Sequence, residues 1–179
     1  RAAFQDNFFY ILYHNEPNGV AEKEYDEDPS GLISRFYQSP DSPRKPPKIT
    51  DSKRSAGGFL PRIGEAEGLP AWFSKEDLDY VVGQFEESGF RGGVNYYRNI
   101  ERNWKLTEDL KDHNIKVPTL FLAGTQDMVI AGASKESLES SMKEVIPLLE
   151  EVILLPNIGH WVQQEAAEQT NSILIDFLK

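Results

Sequence analysis

Two short, nearly continuous apolar runs constrain the last third of this 179-residue chain more than any other feature. They are Val117-Pro118-Thr119-Leu120-Phe121-Leu122-Ala123, closed by Gly124, and Val152-Ile153-Leu154-Leu155. Runs of this kind read as strands covered on both faces, the condition of a parallel sheet. Pro118 cannot donate to a ladder and so belongs at the start of the first strand. Each run is followed by a helical pattern. Leu138, Met142, Val145, Ile146 and Leu149 share one face, with Pro147 disturbing its end, and Ala166, Thr170, Ile173, Leu174, Phe177 and Leu178 share another. Strand, helix, strand, helix is an α/β architecture with right-handed crossovers. Two strands cannot cover each other on both faces, and the sequence offers no third convincing strand. Residues 116–179 are therefore expected to form one edge of a larger sheet whose other strands are encoded elsewhere.

Upstream the texture differs. From Phe4 to about Tyr37 aromatic and acidic residues alternate without strand spacing and are broken by Glu16-Pro17-Asn18-Gly19, which predicts short helices and turns. Asp28-Pro29 has the form of an N-cap followed by Pro at the first helical position, with Leu32, Ile33 and Phe36 on one face behind it. The acidic run Glu22 to Asp28 is expected to be a solvated face. Residues 38–70 collect Pro, Ser, Gly and charge, which predicts a long surface excursion. Ser74 to Asp77 fits a capping box, and Leu78, Val81, Val82 and Phe85 follow at helical spacing before Gly89. After Arg91-Gly92-Gly93, Tyr97, Ile100 and Trp104 fall on one stripe, so Tyr97 is expected to point with the apolar residues.

Charge and composition exclude several classes. A formal net charge of −10 and a pI near 4.8 oppose a polyphosphate or anionic-membrane partner. The absence of Cys rules out disulfides and thiolate metal sites and suits a cytoplasmic protein. No apolar run approaches the roughly 20 residues of a membrane span, and Arg1-Ala2-Ala3-Phe4 carries no signal-like apolar stretch. Position 1 is Arg rather than Met, so further sequence is expected upstream. His14, among aromatics, and His113, in a polar stretch, read as structural or solvated. No histidine pair has HxxxH or HExxH spacing, so no metal or other cofactor is implied. GxSxG, GxGxxG and GxxxxGK are absent, so the chain shows no recognisable nucleophile of its own.

In open α/β sheets functional groups gather beyond the carboxyl ends of the strands. Asp127 lies just past the first strand and His160 just past the second. A carboxylate and an imidazole on adjacent strand ends can share a hydrogen bond that fixes the ring's tautomer and raises its basicity. Their order, acid before His, is the one α/β-hydrolases use.

Four stretches together resemble one family. Phe9-Tyr10-Ile11-Leu12-Tyr13, leading through Glu16-Pro17 to Val20-Ala21-Glu22, and the run from Gly89 to Trp104 are similar to the cap of soluble epoxide hydrolases of the α/β-hydrolase superfamily. Gly124 to Asp127 and Gly159-His160-Trp161 are similar to the acid and base segments of their core. The resemblance implies a helical cap over residues 1–110, including the excursion at 38–70, and the C-terminal part of a hydrolase core over 111–179. It implies conversion of epoxides to vicinal diols through a covalent Asp ester, without a cofactor. Tyr10 and Tyr97 match the family's hydrogen-bond donors to the epoxide oxygen, His160 the base that activates water and Asp127 its partner, while Trp161, beside the base, either lines the substrate pocket or plugs the sheet edge. Tyr13 and Tyr96 are the neighbours most easily confused with those donors. The implied partners are a small epoxide, water and the N-terminal half of the core. That half would carry the oxyanion motif and the nucleophilic Asp upstream of Arg1. A homodimer is left open. Two other readings stand beside this one: a haloalkane-dehalogenase-like hydrolase, against which the paired tyrosines count, and a non-catalytic remnant or binding module.

Overall fold

The computed structural model describes Phe4 and residues 6–179; Arg1-Ala2-Ala3, read above as lacking a signal-like stretch, lie outside the described residues. The chain divides into two compact units, one of residues 1–38 and 42–108, the other of residues 39–41 and 109–179.

The first unit is helical. Helices α1 (Tyr10–His14), α2 (Val20–Glu27) and α3 (Pro29–Phe36) follow one another across tight turns. Asp28 caps α3 by accepting from the Gly31 amide at 2.9 Å, with Pro29 at the first helical position. Helix α4 (Lys75–Ser88) opens on the reciprocal Ser74/Asp77 capping box and ends at Gly89, whose φ of +67° carries the chain out through left-handed space. Helices α5 (Arg91–Arg98) and α6 (Ile100–Leu106) complete the unit. Its core gathers Tyr13, Ala21, Tyr25, Leu32, Ile33, Leu60, Phe73, Leu78, Phe90 and Val94.

The structure departs from the sequence reading here in two respects. The stripe through Tyr97, Ile100 and Trp104 is not one buried helix face, and Trp104 is 78% exposed. The helix breaks at Asn99, whose side-chain amide bonds back to the Asn95 carbonyl at 2.9 Å beside its own backbone amide at 3.1 Å, a back-bond of the kind that bends a helix. The acidic run, moreover, is a solvated face only in part: Lys23, Asp26, Glu27 and Asp28 are exposed. Glu22 is buried against Arg98. Glu24 accepts from the Phe59 and Leu60 amides at 2.9 and 3.1 Å, and Asp26 from the Phe90 amide at 2.9 Å. Carboxylates are the strong acceptors for amides that no helix or ladder satisfies. Glu24 in this way pins the middle of the 38–70 excursion, where Leu60 is buried.

In the second unit β1 (Thr119–Gly124) and β2 (Leu149–Leu155) pair in parallel, with Pro118 just ahead of β1. Leu120, Phe121 and Leu122 are half-buried rather than covered on both faces, because among the described residues only β2 lies beside β1. Helix α7 (Lys135–Lys143) packs on β2 through Leu138 and Met142. It stops earlier than the apolar spacing implies. Residues preceding a proline disfavour helical backbone, so ahead of Pro147 the chain turns, Ile146 joins the core outside the helix, and Leu149 opens β2. The last pattern divides into α8 (Val162–Glu165) and α9 (Ala167–Phe177) around Ala166.

Candidate active site

The end of β1 and the loop after β2 are stitched together before any catalytic group enters. Thr125 Oγ1 accepts from the Asn157 amide at 2.9 Å, and the Gln126 amide donates to the Ile158 carbonyl at 2.9 Å. The approach is close enough that a Cβ on Gly124 would lie 2.0 Å from the Ile158 oxygen, so only glycine fits there. Asn157 turns the second loop in left-handed backbone, φ +62°, which Asn tolerates better than most residues.

These loops bring together the two residues predicted at the strand ends. His160 Nδ1 lies 3.0 Å from Asp127 Oδ1. The same oxygen accepts from the Val129 amide at 2.8 Å, so the carboxylate is aimed by its own turn. Asp127 is buried, whereas the His160 side chain is 49% exposed, leaving Nε2 as the ring nitrogen free to exchange a proton. With Nδ1 directed at the carboxylate, the neutral ring takes the tautomer in which Nε2 is the base. Trp161 packs edge-on to His160, ring centroids 5.3 Å apart. Sequence reasoning missed Glu165: its carboxylate accepts from the Gly159 and Trp161 amides, each at 3.0 Å, and so grips the backbone on either side of His160. The available signal was a Glu in the first turn of a helix, four residues after the loop it holds.

In the helical unit Tyr10 on α1 and Tyr97 on α5 meet ring edge to ring face, centroids 5.6 Å apart. Tyr10 is 37% exposed and Tyr97 half-buried. Burial, and secondarily Tyr10 itself, holds the Tyr97 phenol above its ordinary range, so it is a protonated donor at neutral pH. The two neighbouring tyrosines are elsewhere. Tyr13 is buried and donates to Glu24 Oε2 at 2.9 Å, burial and that carboxylate pushing its pKa up. Tyr96 is 82% exposed.

His14 is buried and packs its ring at 4.3 Å from the Tyr97 ring centroid and 5.8 Å from that of Tyr10. Its Nε2 lies 2.7 Å from the Tyr25 hydroxyl, and Nδ1 has no hydrogen-bond partner among the described residues. Burial, reinforced by Arg98 and opposed by Glu22, lowers its pKa to about 4. An unfolded His titrates near about 6.5. Between those values the unfolded chain binds a proton that the folded one refuses. Stability is therefore full above the higher value and drains as pH falls towards the lower one, by about 3 kcal/mol in all. Urea melts from pH 7.5 to 4.5 should show this slope, and His14→Phe should flatten it. Equal slopes in the two proteins would place the titration elsewhere. His113 is exposed. Among the described residues no group of His, Asp and Glu is arranged to hold a metal ion, and no helix is long and apolar enough to cross a membrane.

No protein-family model matches the chain. Among curated proteins it is similar to epoxide hydrolase A of Mycobacterium tuberculosis, 40% identical over 182 residues that cover 99% of this chain and 54% of that protein. It is also similar to epoxide hydrolase 1 of Siraitia grosvenorii, 35% identical, over 96% of this chain and 52% of that protein. Of solved structures, that of epoxide hydrolase A from Mycobacterium thermoresistibile matches with a TM-score of 0.84 and 42% identity, over 99% of this chain and 54% of that one. The chain spans about half the length of the curated relatives it matches.

Proposed function

Since the chain belongs to the epoxide hydrolases of the α/β-hydrolase fold, we propose that it supplies the acid–base pair and the two epoxide-activating phenols of an enzyme that converts epoxides to vicinal diols. Residues 1–110 serve as the cap and 111–179 as the C-terminal part of the core. The attacking group in this scheme is an Asp carboxylate that would precede the cap in chain order, a role for which this chain has no candidate of its own. Its oxygen bonds to an epoxide carbon, the strained C–O bond breaks, and the departing oxygen, hydrogen-bonded by Tyr10 and Tyr97, takes its proton from one of these phenols, which regains one when the Asp carboxyl freed by ester hydrolysis ionises. Donors aimed at developing oxygen charge in a partly dehydrated site stabilise the transition state more than the ground state. The ester is then hydrolysed. His160 Nε2 accepts a proton from water as the water oxygen attacks the ester carbonyl, Asp127 stabilises the resulting imidazolium, and the imidazolium gives the proton to the diol oxygen as its bond to the acyl carbon breaks and the diol leaves. Trp161, packed on His160, is assigned to the wall of the epoxide pocket. No cofactor enters the scheme, and a Cys-free sequence supports a cytoplasmic setting.

The observation that carries this reading over a halide-releasing one is the Tyr10–Tyr97 pair, because two phenols on adjoining rings suit an oxygen that becomes an alkoxide. Incubating the complete enzyme with aryl and alkyl epoxides, and in parallel with 1-haloalkanes, should yield diols and no free halide. Halide release without diol would transfer the site to the dehalogenase-like reading. Neither product, from a folded enzyme, would favour the non-catalytic remnant.

A further inference from the structure

The two candidate donors stand on different short helices, and their own ring contact does not fix one against the other. Helix α1 has five residues and α5 eight, lengths at which a helix has little stability of its own and takes its position from what it is bonded to. The bonds that join them start from the residues beside the tyrosines. Arg98, next to Tyr97, donates from Nε to the His14 carbonyl at the end of α1, at 3.0 Å. In return Asn15, just past α1, donates to the Tyr97 carbonyl at 3.3 Å. The other side of the guanidinium makes a two-pronged contact with Glu22 on α2, Nη1 to Oε1 and Nη2 to Oε2, the latter at 2.7 Å. His14 fills the space between, its ring against those of both Tyr97 and Tyr10.

Stability is a poor explanation for such a pair. The pair is part-buried, the Arg98 side chain 26% exposed, and such an ion pair loses to desolvation and solvent screening much of what it gains by attraction. What the guanidinium adds is direction: its planar fork takes both Glu22 oxygens while Nε reaches a third acceptor on another helix, a geometry an ammonium cannot reproduce. The contact with Arg98 holds the Glu22 carboxyl below the ordinary carboxylate range, so both partners are charged at working pH.

We propose that Arg98 is a positioning residue for the epoxide-opening step, fixing α5 to α1 and α2 so that the Tyr97 and Tyr10 phenols aim at one oxygen. The proposal rests on the assignment of those tyrosines as donors. It is tested in the complete enzyme with Arg98→Lys and Glu22→Gln, by single-turnover mixing with an aryl epoxide. The rate constant for ester formation should fall about 10- to 100-fold, the cost typical of a misplacement of about 1 Å at the reacting atoms. The fraction of enzyme that becomes alkylated and the rate of ester hydrolysis should both be unchanged, because the His160–Asp127 pair is untouched. Combined with Tyr97→Phe, Arg98→Lys should add little, since the group it aims is already gone. Equal loss in both half-reactions, or a full additive penalty on the Tyr97→Phe background, would overturn the proposal. If Arg98→Lys lowers only the alkylated fraction, a folding loss, the milder Glu22→Gln decides: an unchanged rate constant for ester formation overturns the proposal, and a slowed one sustains it. An effect of Arg98→Lys beside a silent Tyr97→Phe would instead remove the donor assignment.

Discussion

Tyr97→Phe slows epoxide opening by an amount corresponding to about 2–4 kcal/mol, the loss expected when one donor to a developing oxyanion is removed. Tyr10→Phe behaves alike, and the double substitution abolishes ester formation. Deleting a hydroxyl from a ring that already packs against His14 and its partner tyrosine leaves the packing in place, so the change reads on rate rather than fold. Tyr13→Phe serves as the contrast. It removes the bond to Glu24 and costs about 1 kcal/mol of stability with the chemical step unaffected, the ordinary net worth of a hydrogen bond. Tyr96→Phe, at an exposed site, changes neither. Steady-state and single-turnover kinetics on one epoxide, beside a urea melt of each variant, separate these outcomes. A damaging Tyr96→Phe with a harmless Tyr97→Phe would shift the donor by one residue and undo the assignment.

His160→Gln divides the reaction at its midpoint. Ester formation needs the attacking carboxylate and the phenols but not the imidazole, whereas hydrolysis needs a base on the water. The variant is therefore expected to consume one equivalent of epoxide and stop, with turnover lost by several orders of magnitude, as for other enzymes deprived of a triad member. Intact-mass spectrometry should show the protein heavier by one substrate molecule, persisting over hours. The acid stays in place, since Asp127 Oδ1 is held by the Val129 amide as well as by His160. A folded variant that never gains mass would assign His160 to the first half-reaction and invalidate this division of roles.

The parts of the molecule legible in the sequence are those encoded by neighbours along the chain. Helix α4 carries its own start signal in Ser74 and Asp77, its apolar spacing and its stop at Gly89. The Asp127–His160 pair is legible for a related reason: a strand end is a local feature, and a rule of topology brings two such ends together. What the sequence does not disclose depends on partners far away in it. Glu22 meets Arg98 across 76 positions, and Glu24 meets the Phe59 amide across 35. Neither contact leaves a periodic trace, and a cluster of carboxylates looks solvated until the donors opposite it are known. The break at Asn99 is hidden for the opposite reason. The apolar spacing runs through it undisturbed, while one side-chain amide diverts the backbone.

Gly124 has a further consequence, for mutational tolerance. Most residues of a site like this can be altered in a way that spares either folding or chemistry, as is expected of the tyrosine and histidine variants. Position 124 has no such partition. Any side chain there meets the Ile158 carbonyl, and the segment it displaces is the one that carries His160 to Asp127. Selecting variants for soluble expression and selecting them for diol formation would reject the same changes at this position. Diversity introduced to tune the substrate therefore belongs in the helical unit around Tyr10 and Tyr97, with the junction of the two strand ends left untouched.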